Sequence, residues 1–421
     1  MDRFLKVNRR VRFFIVRLFY FAAGLNVAAW RNQVERIWAL PKVDYRKYIN
    51  TEIKKTRPID CAGNAILSSQ DLEDSAPLSK KKLNERSAQI TQSSYMVSRY
   101  TSGTSGTRTK VFLTKSEMSR LLAVRDYCFR FHGTRLGDRE ARLWGTRTKS
   151  IGSRIKDWFL HRRSFYIVSD NMENIVKDLR RWRPDYIYGY ASSIISISRF
   201  LIERNINVKG IKLVVCTAEQ ILPAQKKLIG YAFNSKVVEE YGSTEFDIVA
   251  FEDLEGDLRV VNPWLVVESR MESLLITDVL RRTQHFVRYE IGDYGEVRQK
   301  SSKGLGGDIV IGALEGRSSN RYAYDENNRD FHSVEFPKAM NLYFNKYDDL
   351  FDFIIAQNKR GQFNLYLSSE PKIGSERFCD WLRKTLKKSA DVDVTIIVGR
   401  IGCINDFKGK RSYFIQNIRL P

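Results

Sequence analysis

Cysteine and histidine are both scarce in this 421-residue chain, and neither is arranged to hold a metal. The five cysteines (Cys61, Cys128, Cys216, Cys379, Cys403) are scattered, odd in number and without a C-x-x-C pair. That argues against a structural zinc site and a disulfide framework, and makes a reducing compartment the default. The four histidines (His132, His161, His285, His332) give no H-E-x-x-H or comparable ligand spacing. Internal repeats and low-complexity tracts are missing too. Acidic residues are outnumbered, 49 against 71 Lys+Arg, for a formal net charge of +22. Such a balance suggests an anionic partner: nucleic acid, an acidic membrane surface, a polyanionic substrate or a phosphate cofactor.

Long apolar runs are also scarce. One stretch, "FFIVRLFYFAAGLNVAAW" over 13–30, is apolar apart from Arg17 and Asn26 and follows the basic "RFLKVNRRVR". Its length of about 18 residues is the lower limit for a membrane span, Arg17 makes spanning costly, and "GLNVAA" is a poor cleavage site. Three readings stay open: a buried or docking helix, a basic amphipathic segment lying on an anionic membrane, or insertion.

What the chain does have is ample core material, 43% hydrophobic and 12% aromatic residues, at a length that calls for two domains. "SEMSRLLAVRDYCFRFHG" has helical spacing with Ser116 as its N-cap, "IKLVVCTAE" reads as a buried strand, and "PAQKKLIGYAF" as a helix. "NMENIVKDLRRW" reads as a helix stopped by Pro184, and "LRVVNPWLVVESRMESLLITDVL" as antiparallel strands turning at Asn262-Pro263 and near Met271. This alternation indicates a mixed α/β body. A polar stretch at 312–330 marks a boundary, and the following ~100 residues read as β-β-α-β, a small α+β domain.

Five short stretches carry the chemistry. "TSGTSGTRTK" (101–110) is a glycine and hydroxyl loop ending in Lys110, able to aim backbone N–H groups, hydroxyls and a cation at phosphate oxygens; it is not a Walker A loop. In "EEYGSTEF" (239–246), Tyr241 can lie against a base, Gly242 permits a close turn, Thr244 offers a hydroxyl and Glu245 a carboxylate for Mg²⁺. "VRYEIGDYGEV" (287–297) places Asp293 to accept from two ribose hydroxyls. "LEGRSSN" (314–320) carries Arg317, and "DFKGKRSYF" (406–414) carries Lys410 after a glycine. Taken singly they read as a linker, a tight turn, a hairpin, a boundary arginine and a solvated charge run.

Their order gives them force. The series "TSGTSGTRTK", "YGSTE", "IGD", "EGR", "GK" resembles the adenylate-forming superfamily of acyl-CoA synthetases, peptide adenylation domains and luciferases. "APLSKKKL", "RWRPDYIYGYASSI" and "CTAEQILP" are similar to its phenylacetate–CoA ligase branch, with the CapK-like and coenzyme F390 synthetase-like relatives. The resemblance implies a large mixed α/β N-terminal domain (51–317) and a small mobile α+β lid domain (318–421), after a basic apolar helical segment (1–50). It implies that Ser102, Gly103, Thr104, Ser105, Gly106, Thr107 and Lys110 bind the β- and γ-phosphates. Ala218, Glu219, Glu240, Tyr241, Gly242 and Ser243 would border the nucleotide, with Tyr241 on adenine. Thr244 would touch the α-phosphate, Glu245 would ligate Mg²⁺, Asp293 the ribose hydroxyls and Arg317 the ribose side. Lys410 would be the catalytic lysine, with Lys408 as the alternative.

The implied activity is an AMP-forming acid ligase that uses ATP and Mg²⁺ and passes an acyl group to an amine or to the thiol of CoA. The amine reading, in surface polysaccharide assembly, is favoured by the basic surface and N-terminus; these suit an acidic glycan or lipid-linked substrate at the cytoplasmic face of a membrane. A non-catalytic, basic nucleic-acid or interaction protein is the rival, opposed by the joint presence of Glu245, Asp293 and Lys410. Pocket candidates are Tyr127, Phe131, His132, Trp144, Tyr188, Tyr190, Ala191 and Ser192. Two departures from the family pattern stand out: Ser318-Ser319-Asn320 at the expected hinge, and Phe251-Glu252-Asp253 where relatives carry a Cys/His cluster, so that no metal cluster is implied.

Overall fold

The computed structural model describes residues 9–91, 93, 96–101, 108–144, 151–167, 171–315, 322–399, 401–402 and 412–418. Its contacts group the chain into two compact units: 1–190, 206–218 and 233–314 in one, and 191–205, 219–232 and 315–421 in the other.

The first unit opens with five helices: α1 (Arg9–Ala22), α2 (Val27–Trp38), α3 (Lys42–Thr56), α4 (Ser69–Asp74) and α5 (Lys80–Ala88). A hairpin of β1 (Met96–Tyr100) and β2 (Lys110–Thr114) leads into α6 (Lys115–Phe131). Then come β3 (Glu140–Trp144), α7 (Ile151–Phe159), β4 (Arg162–Tyr166), α8 (Met172–Trp182) and β5 (Tyr186–Tyr190). After α9 (Ala191–Glu203), which belongs to the second unit, the first unit resumes at β6 (Leu213–Thr217). Following α10 (Pro223–Phe233), it is completed by β7 (Lys236–Ser243), β8 (Asp247–Glu252), β9 (Leu258–Val260), β10 (Leu265–Arg270), β11 (Ser273–Asp278), β12 (Tyr289–Gln299) and β13 (Ile309–Glu315).

Among the described residues these strands form one 11-stranded sheet, ordered β10-β11-β12-β13-β9-β8-β7-β6-β5-β3-β4. From β4 to β7 every pairing is parallel; from β7 through β8 to β9 the pairing is antiparallel. Within the parallel part β6, "LVVCT", is a near-continuous apolar run and fully buried, as a strand covered on both faces must be, whereas the edge strand β4, "RRSFY", is mostly polar and only partly buried. β7 is the seam where the two halves meet. In such sheets ligands are taken at the carboxyl ends of parallel strands, which here carry Trp144, Tyr190, Thr217 and Glu240–Ser243.

The second unit adds β14 (Tyr322–Tyr324), β15 (Asp330–His332), α11 (Glu335–Tyr347), β16 (Phe353–Lys359), β17 (Gln362–Leu367), α12 (Ser375–Ala390), β18 (Thr395–Val398) and β19 (Phe414–Gln416). The hairpin read from "FDFIIAQNKRGQFNLYLSS" is β16–β17, and the four-stranded sheet runs β18-β17-β16-β19. Its core is unusually aromatic, with Phe336, Tyr343, Phe351, Phe363 and Phe378 in one buried cluster.

One difference from the sequence reading concerns the start of α6. The cap is Thr114, not Ser116: the Thr114 hydroxyl accepts from the Glu117 N–H at 3.1 Å while Glu117 Oε2 accepts from the Thr114 N–H at 2.7 Å. This reciprocal capping box satisfies two donors at once, which a serine inside the first turn cannot do. Glu117 does more, accepting from the Arg282 N–H (3.0 Å) and the Thr283 hydroxyl (2.9 Å).

That loop is also held by a buried ionic triad. Asp278 takes both Arg120 Nη atoms, at 2.7 and 2.6 Å, and Arg281 Nε at 3.3 Å. All three side chains are essentially inaccessible. Burial works to raise the Asp278 carboxyl, but Arg120 and Arg281 hold it below the usual range. Breaking a buried pair leaves charge with no counter-charge, which costs about 3–5 kcal/mol. Asp278→Asn, which keeps the shape and removes the charge, is expected to lower unfolding free energy by about that amount in urea titration; a loss below about 1 kcal/mol would remove the triad from this role.

The histidines offer a second check. His132 closes α6 and is 9% exposed, with Nε2 donating to the Glu252 carbonyl at 2.8 Å and its ring against Phe131 and Phe251. Burial, with the Lys236 charge adding to it, brings its pKa down to about 4; burial and the Arg12 charge bring His161 to about 4 despite its bond to the Gly137 carbonyl. His285 is lowered by burial and Arg86. In the unfolded chain these rings protonate near pH ~6.5, so protons favour the unfolded state. Stability is therefore expected to fall as pH drops from about 6.5 towards 4, and His132→Gln, which keeps a donor for Glu252, to flatten the slope. Its largest effect is about 1.4 kcal/mol per pH unit; thermal midpoints measured across this range for both proteins test it.

Candidate active site

Lys110 begins β2, directly after the hydroxyl-rich stretch. The ends of that stretch are tied together: the Thr101 N–H donates to the Thr109 carbonyl at 3.0 Å, and the Thr109 N–H to the Thr101 hydroxyl at 2.9 Å. Tyr100 and Lys110 are register partners in the β1–β2 hairpin. Lys110 Nζ lies 4.8 Å from the Phe112 ring centroid. Residues 102–107 themselves (Ser102, Gly103, Thr104, Ser105, Gly106, Thr107) lie outside the described residues, as do Arg317, Lys408 and Lys410.

The "EEYGSTEF" stretch forms the end of β7 and its turn into β8. Gly242 is required by packing: a Cβ there would stand 1.8 Å from the Asp247 carbonyl oxygen, at the point where the β7–β8 register shifts. Thr244, half-buried, and Glu245, 5% exposed, occupy the turn. Glu245 is fixed at two points. Its carbonyl accepts from Arg281 Nη2, and its Oε1 accepts from the Tyr289 hydroxyl at 3.1 Å. Ser243 Oγ is buried and has no hydrogen-bond partner among the described residues; neither has Thr109 Oγ1.

The same cluster brings in the third motif. Tyr241 donates its hydroxyl to Asp293 Oδ2 at 3.0 Å, so the "YGSTE" and "IGD" stretches, some fifty residues apart, share a hydrogen bond. Burial and the neighbouring Asp293 carboxylate both raise the Tyr241 phenol, keeping it a neutral donor. Gly292, at φ +87°, supplies the left-handed turn before Asp293. Arg281 completes the assembly by donating to the Phe112 carbonyl at 3.2 Å, which ties the strand of Lys110 to the turn of Glu245. The nucleotide-side candidates Lys110, Tyr241, Gly242, Ser243, Thr244, Glu245 and Asp293 thus gather in one region of the first unit.

Glu240 faces the next strands instead. Its Oε1 accepts from the Tyr188 hydroxyl at 2.8 Å and the Thr217 hydroxyl at 3.0 Å, while Oε2 lies 3.3 Å from Arg125 Nη1. Arg125 Nη2 binds Asp247 at 2.9 Å and its guanidinium lies over the Tyr188 ring. Burial raises the Glu240 carboxyl against these partners; Asp247, also opposed by burial, is held low by Arg125 and Arg99. Trp144 stacks on Tyr190 at 4.3 Å and on Tyr188 at 5.8 Å. Glu240 therefore anchors a polar and aromatic wall rather than standing open to solvent.

Other candidates are placed elsewhere. His132 serves the end of α6, as described above, and is not gathered with Tyr188 and Tyr190. Tyr127 bonds the Gly304 carbonyl and the Gly306 N–H, and Phe131 packs on the core. Ala218 follows β6 in the left-handed region at φ +68°, a strained position for a residue with a side chain. Ala191, Ser192 and Glu219 belong to the second unit, where Glu219 Oε2 accepts from the Ser192 N–H at the start of α9 (2.8 Å). Missed in the sequence were Arg120, Asp278, Arg281, Tyr289 and Arg125. Where the family pattern has a Cys/His cluster, this chain brings Asp253, Glu255 and Asp257 together. Arg259, Lys300 and Lys303 neutralise that group.

No family model matches the chain. Among curated proteins it is similar to Protein CapK of Staphylococcus aureus, 25% identical over 215 residues. The match covers 48% of this chain and 48% of CapK, so the chain spans about half the length of that relative. Among solved structures it is similar to 2-hydroxyisobutyryl-CoA ligase in the postadenylation state with 2-HIB-AMP. There the TM-score is 0.69 at 16% identity, covering 90% of this chain and 91% of that one. It is also similar to the amide bond synthetase McbA from Marinactinospora thermotolerans, with a TM-score of 0.51 at 12% identity, covering 70% and 64%. At these identities the likeness is one of fold, and it matches the mixed α/β architecture implied by the five motifs: the chain has the fold of the adenylate-forming ligases.

Proposed function

We propose that this protein is an ATP-dependent, AMP-forming carboxylate ligase. The observation that carries the reading is the Tyr241–Asp293 hydrogen bond beside Glu245: it joins two motifs distant in sequence at the carboxyl end of β7. Similarity to a CoA ligase solved with an acyl-AMP, to an amide bond synthetase and to CapK supports it.

In this reading Tyr241 lies against adenine and Asp293 accepts from the ribose hydroxyls. Ser243 Oγ and Thr109 Oγ1, buried without a hydrogen-bond partner among the described residues, are suited to phosphate oxygens, with Thr244 at the α-phosphate and Lys110 and residues 102–107 at the β- and γ-phosphates. ATP enters as its Mg²⁺ complex. One carboxylate plus phosphate oxygens is a donor set that Mg²⁺ commonly takes, and Glu245, oriented by Tyr289 and Arg281, is the carboxylate that fits. A substrate carboxylate oxygen attacks the α-phosphorus and pyrophosphate leaves. An amine nitrogen then attacks the acyl carbon, AMP departs, and the nitrogen gives up a proton to yield an amide. Positioned cations act where negative charge gathers on the α-phosphate oxygens and the departing pyrophosphate, the largest contribution in such transfers. In this reading Lys410 would supply one, and Arg317 would serve the ribose side.

The acceptor is an amine on an acidic glycan or lipid-linked precursor of surface polysaccharide, handled at the cytoplasmic face of the membrane. The net charge of +22 supports an acidic acceptor, and the likeness to an amide bond synthetase supports an amine. The thiol of CoA is the alternative, supported by the likeness to a CoA ligase. Product masses after incubation with Mg-ATP, candidate acids, CoA and amines separate the two.

ATP–pyrophosphate exchange with a panel of acids tests the core of the reading. Lys410→Ala is expected to slow exchange about a hundredfold or more while ATP affinity stays within a few-fold, with Lys408→Ala as the comparison. Unchanged exchange in Lys410→Ala would refute that residue's role. No exchange with any acid, together with salt-sensitive nucleic-acid binding, would replace the enzyme with a binding protein.

A further inference from the structure

The N-terminal helix carries apolar side chains on two faces, with arginines set among them. One face is used. Val16 and Tyr20 are buried in the main core of the first unit, and Arg12 is buried with them. The other face, Val11, Phe14, Leu18 and Phe21 at helical spacing, is uncovered, with Phe14 65% and Phe21 75% exposed. Beside it lies α7. Phe19 stacks on Phe159 at 4.9 Å, and the Arg12 guanidinium donates to the Trp158 carbonyl and lies over the Trp158 ring. α7 has no buried residue at all, and its Ile151, Ile155 and Trp158, again on one helical face, are each more than half exposed. Seven large apolar side chains on two adjoining helices thus face solvent, the kind of exposure that marks an interaction surface when it is gathered on neighbouring elements.

The charges around them are of one sign. α1 contains four arginines and no acidic residue, and Arg17 stands exposed among the apolar positions. On α7 Arg154 and Lys156 are exposed, while the one acid, Asp157, is occupied by Arg162 and Ser164. Apolar and aromatic side chains edged by arginine and lysine are the composition of helices that lie in the headgroup layer of an anionic bilayer.

Length and packing decide between lying and spanning. Over the described residues α1 has 14 residues, about 21 Å of helix against a hydrocarbon core of about 30 Å. Among the described residues no single helix is long and apolar enough to cross a membrane. α1 and α2 pass that test only as a pair bent by 102°. α2 is committed to the protein: Val27, Val34 and Ile37 are buried, and Trp38 Nε1 donates to the Val261 carbonyl at 2.9 Å.

We infer that α1 and α7 together form a docking face for an anionic lipid surface, with Phe14, Leu18, Phe21, Ile155 and Trp158 entering the interface and Arg17, Arg154 and Lys156 meeting lipid phosphates. The inference does not depend on the ligase reading, since it rests on other residues.

Flotation of the full chain with phosphatidylcholine vesicles, with and without phosphatidylglycerol, tests it. The net charge alone would draw the protein to anionic vesicles, so the informative variant leaves charge unchanged. Phe14→Gln/Phe21→Gln is expected to lower partitioning onto phosphatidylglycerol vesicles about tenfold, with the thermal midpoint unchanged because both side chains are exposed. Arg17→Gln/Arg154→Gln is expected to lower it several-fold, and more at low salt than at high. Equal partitioning of wild type and Phe14→Gln/Phe21→Gln would overturn the inference. So would failure of the wild type to float with either vesicle. Self-association abolished by the same variant, without flotation, would assign the face to a second copy of the chain instead.

Discussion

The bidentate pair between Arg120 and Asp278, extended to Arg281, is the interaction on which the site depends. It joins the middle of α6 to the end of β11, and through Arg281 it reaches the Phe112 and Glu245 carbonyls. Three chain segments that carry candidate chemistry therefore take their positions from one buried set of charges. Such a set is tolerable only when nearly every donor and acceptor is met, because desolvating each ion costs several kcal/mol. Here two guanidiniums share one carboxylate. The second carboxylate, Glu117, lies close enough for its charge to act on Arg281 while its oxygens serve Thr114, Arg282 and Thr283. The arrangement exchanges solvation for geometry, and the geometry holds Glu245 by its backbone and leaves its carboxylate to Tyr289.

The sheet supplies the other constraint. Five parallel strands end on the side where Trp144, Tyr190, Thr217 and Glu240 stand in neighbouring positions, and β7 turns that array into an antiparallel one. A strand paired parallel on one side and antiparallel on the other must send its two edges to different tasks. On the parallel side Glu240 is drawn into hydrogen bonds with Tyr188 and Thr217. On the antiparallel side the chain doubles back through Thr244–Phe246, and Tyr241 reaches Asp293. Alternation along a strand separates these roles: adjacent residues 240 and 241 point to opposite faces.

What could be read in the sequence was what is local. The strings around Tyr241, Asp293 and Lys110 are short, and their backbone demands can be seen in the glycines beside them. The strands and helices of "IKLVVCTAE", "PAQKKLIGYAF" and the β16–β17 hairpin were legible for the same reason, since periodicity is a property of ten residues. The pairings of Arg120 with Asp278 and of Arg125 with Glu240 and Asp247 were not, because arginine and aspartate carry no mark of a partner more than a hundred positions away. His132 shows the converse limit: the sequence offered it as a pocket candidate, and only the structure shows that it closes α6 and donates to the Glu252 carbonyl of β8. The start of α6 was readable and misread, for Thr114 and Glu117 have the capping-box spacing and Ser116 does not. The N-terminal run left its readings open because hydropathy counts apolar residues without saying which side of a helix they take.

Gly242 shows how a site can be vulnerable at a position that has no side chain to offer it. With the Asp247 oxygen standing where a side chain would begin, even alanine would pry β7 from β8. Tyr241 and Glu245 flank that point and would lose their common frame together. Substitution there would disturb the Tyr241–Asp293 and Glu245–Tyr289 hydrogen bonds together, although its origin is steric and lies in the hairpin. The hairpin therefore stays closed by the single hydrogen atom that Gly242 carries where any other residue would place a carbon.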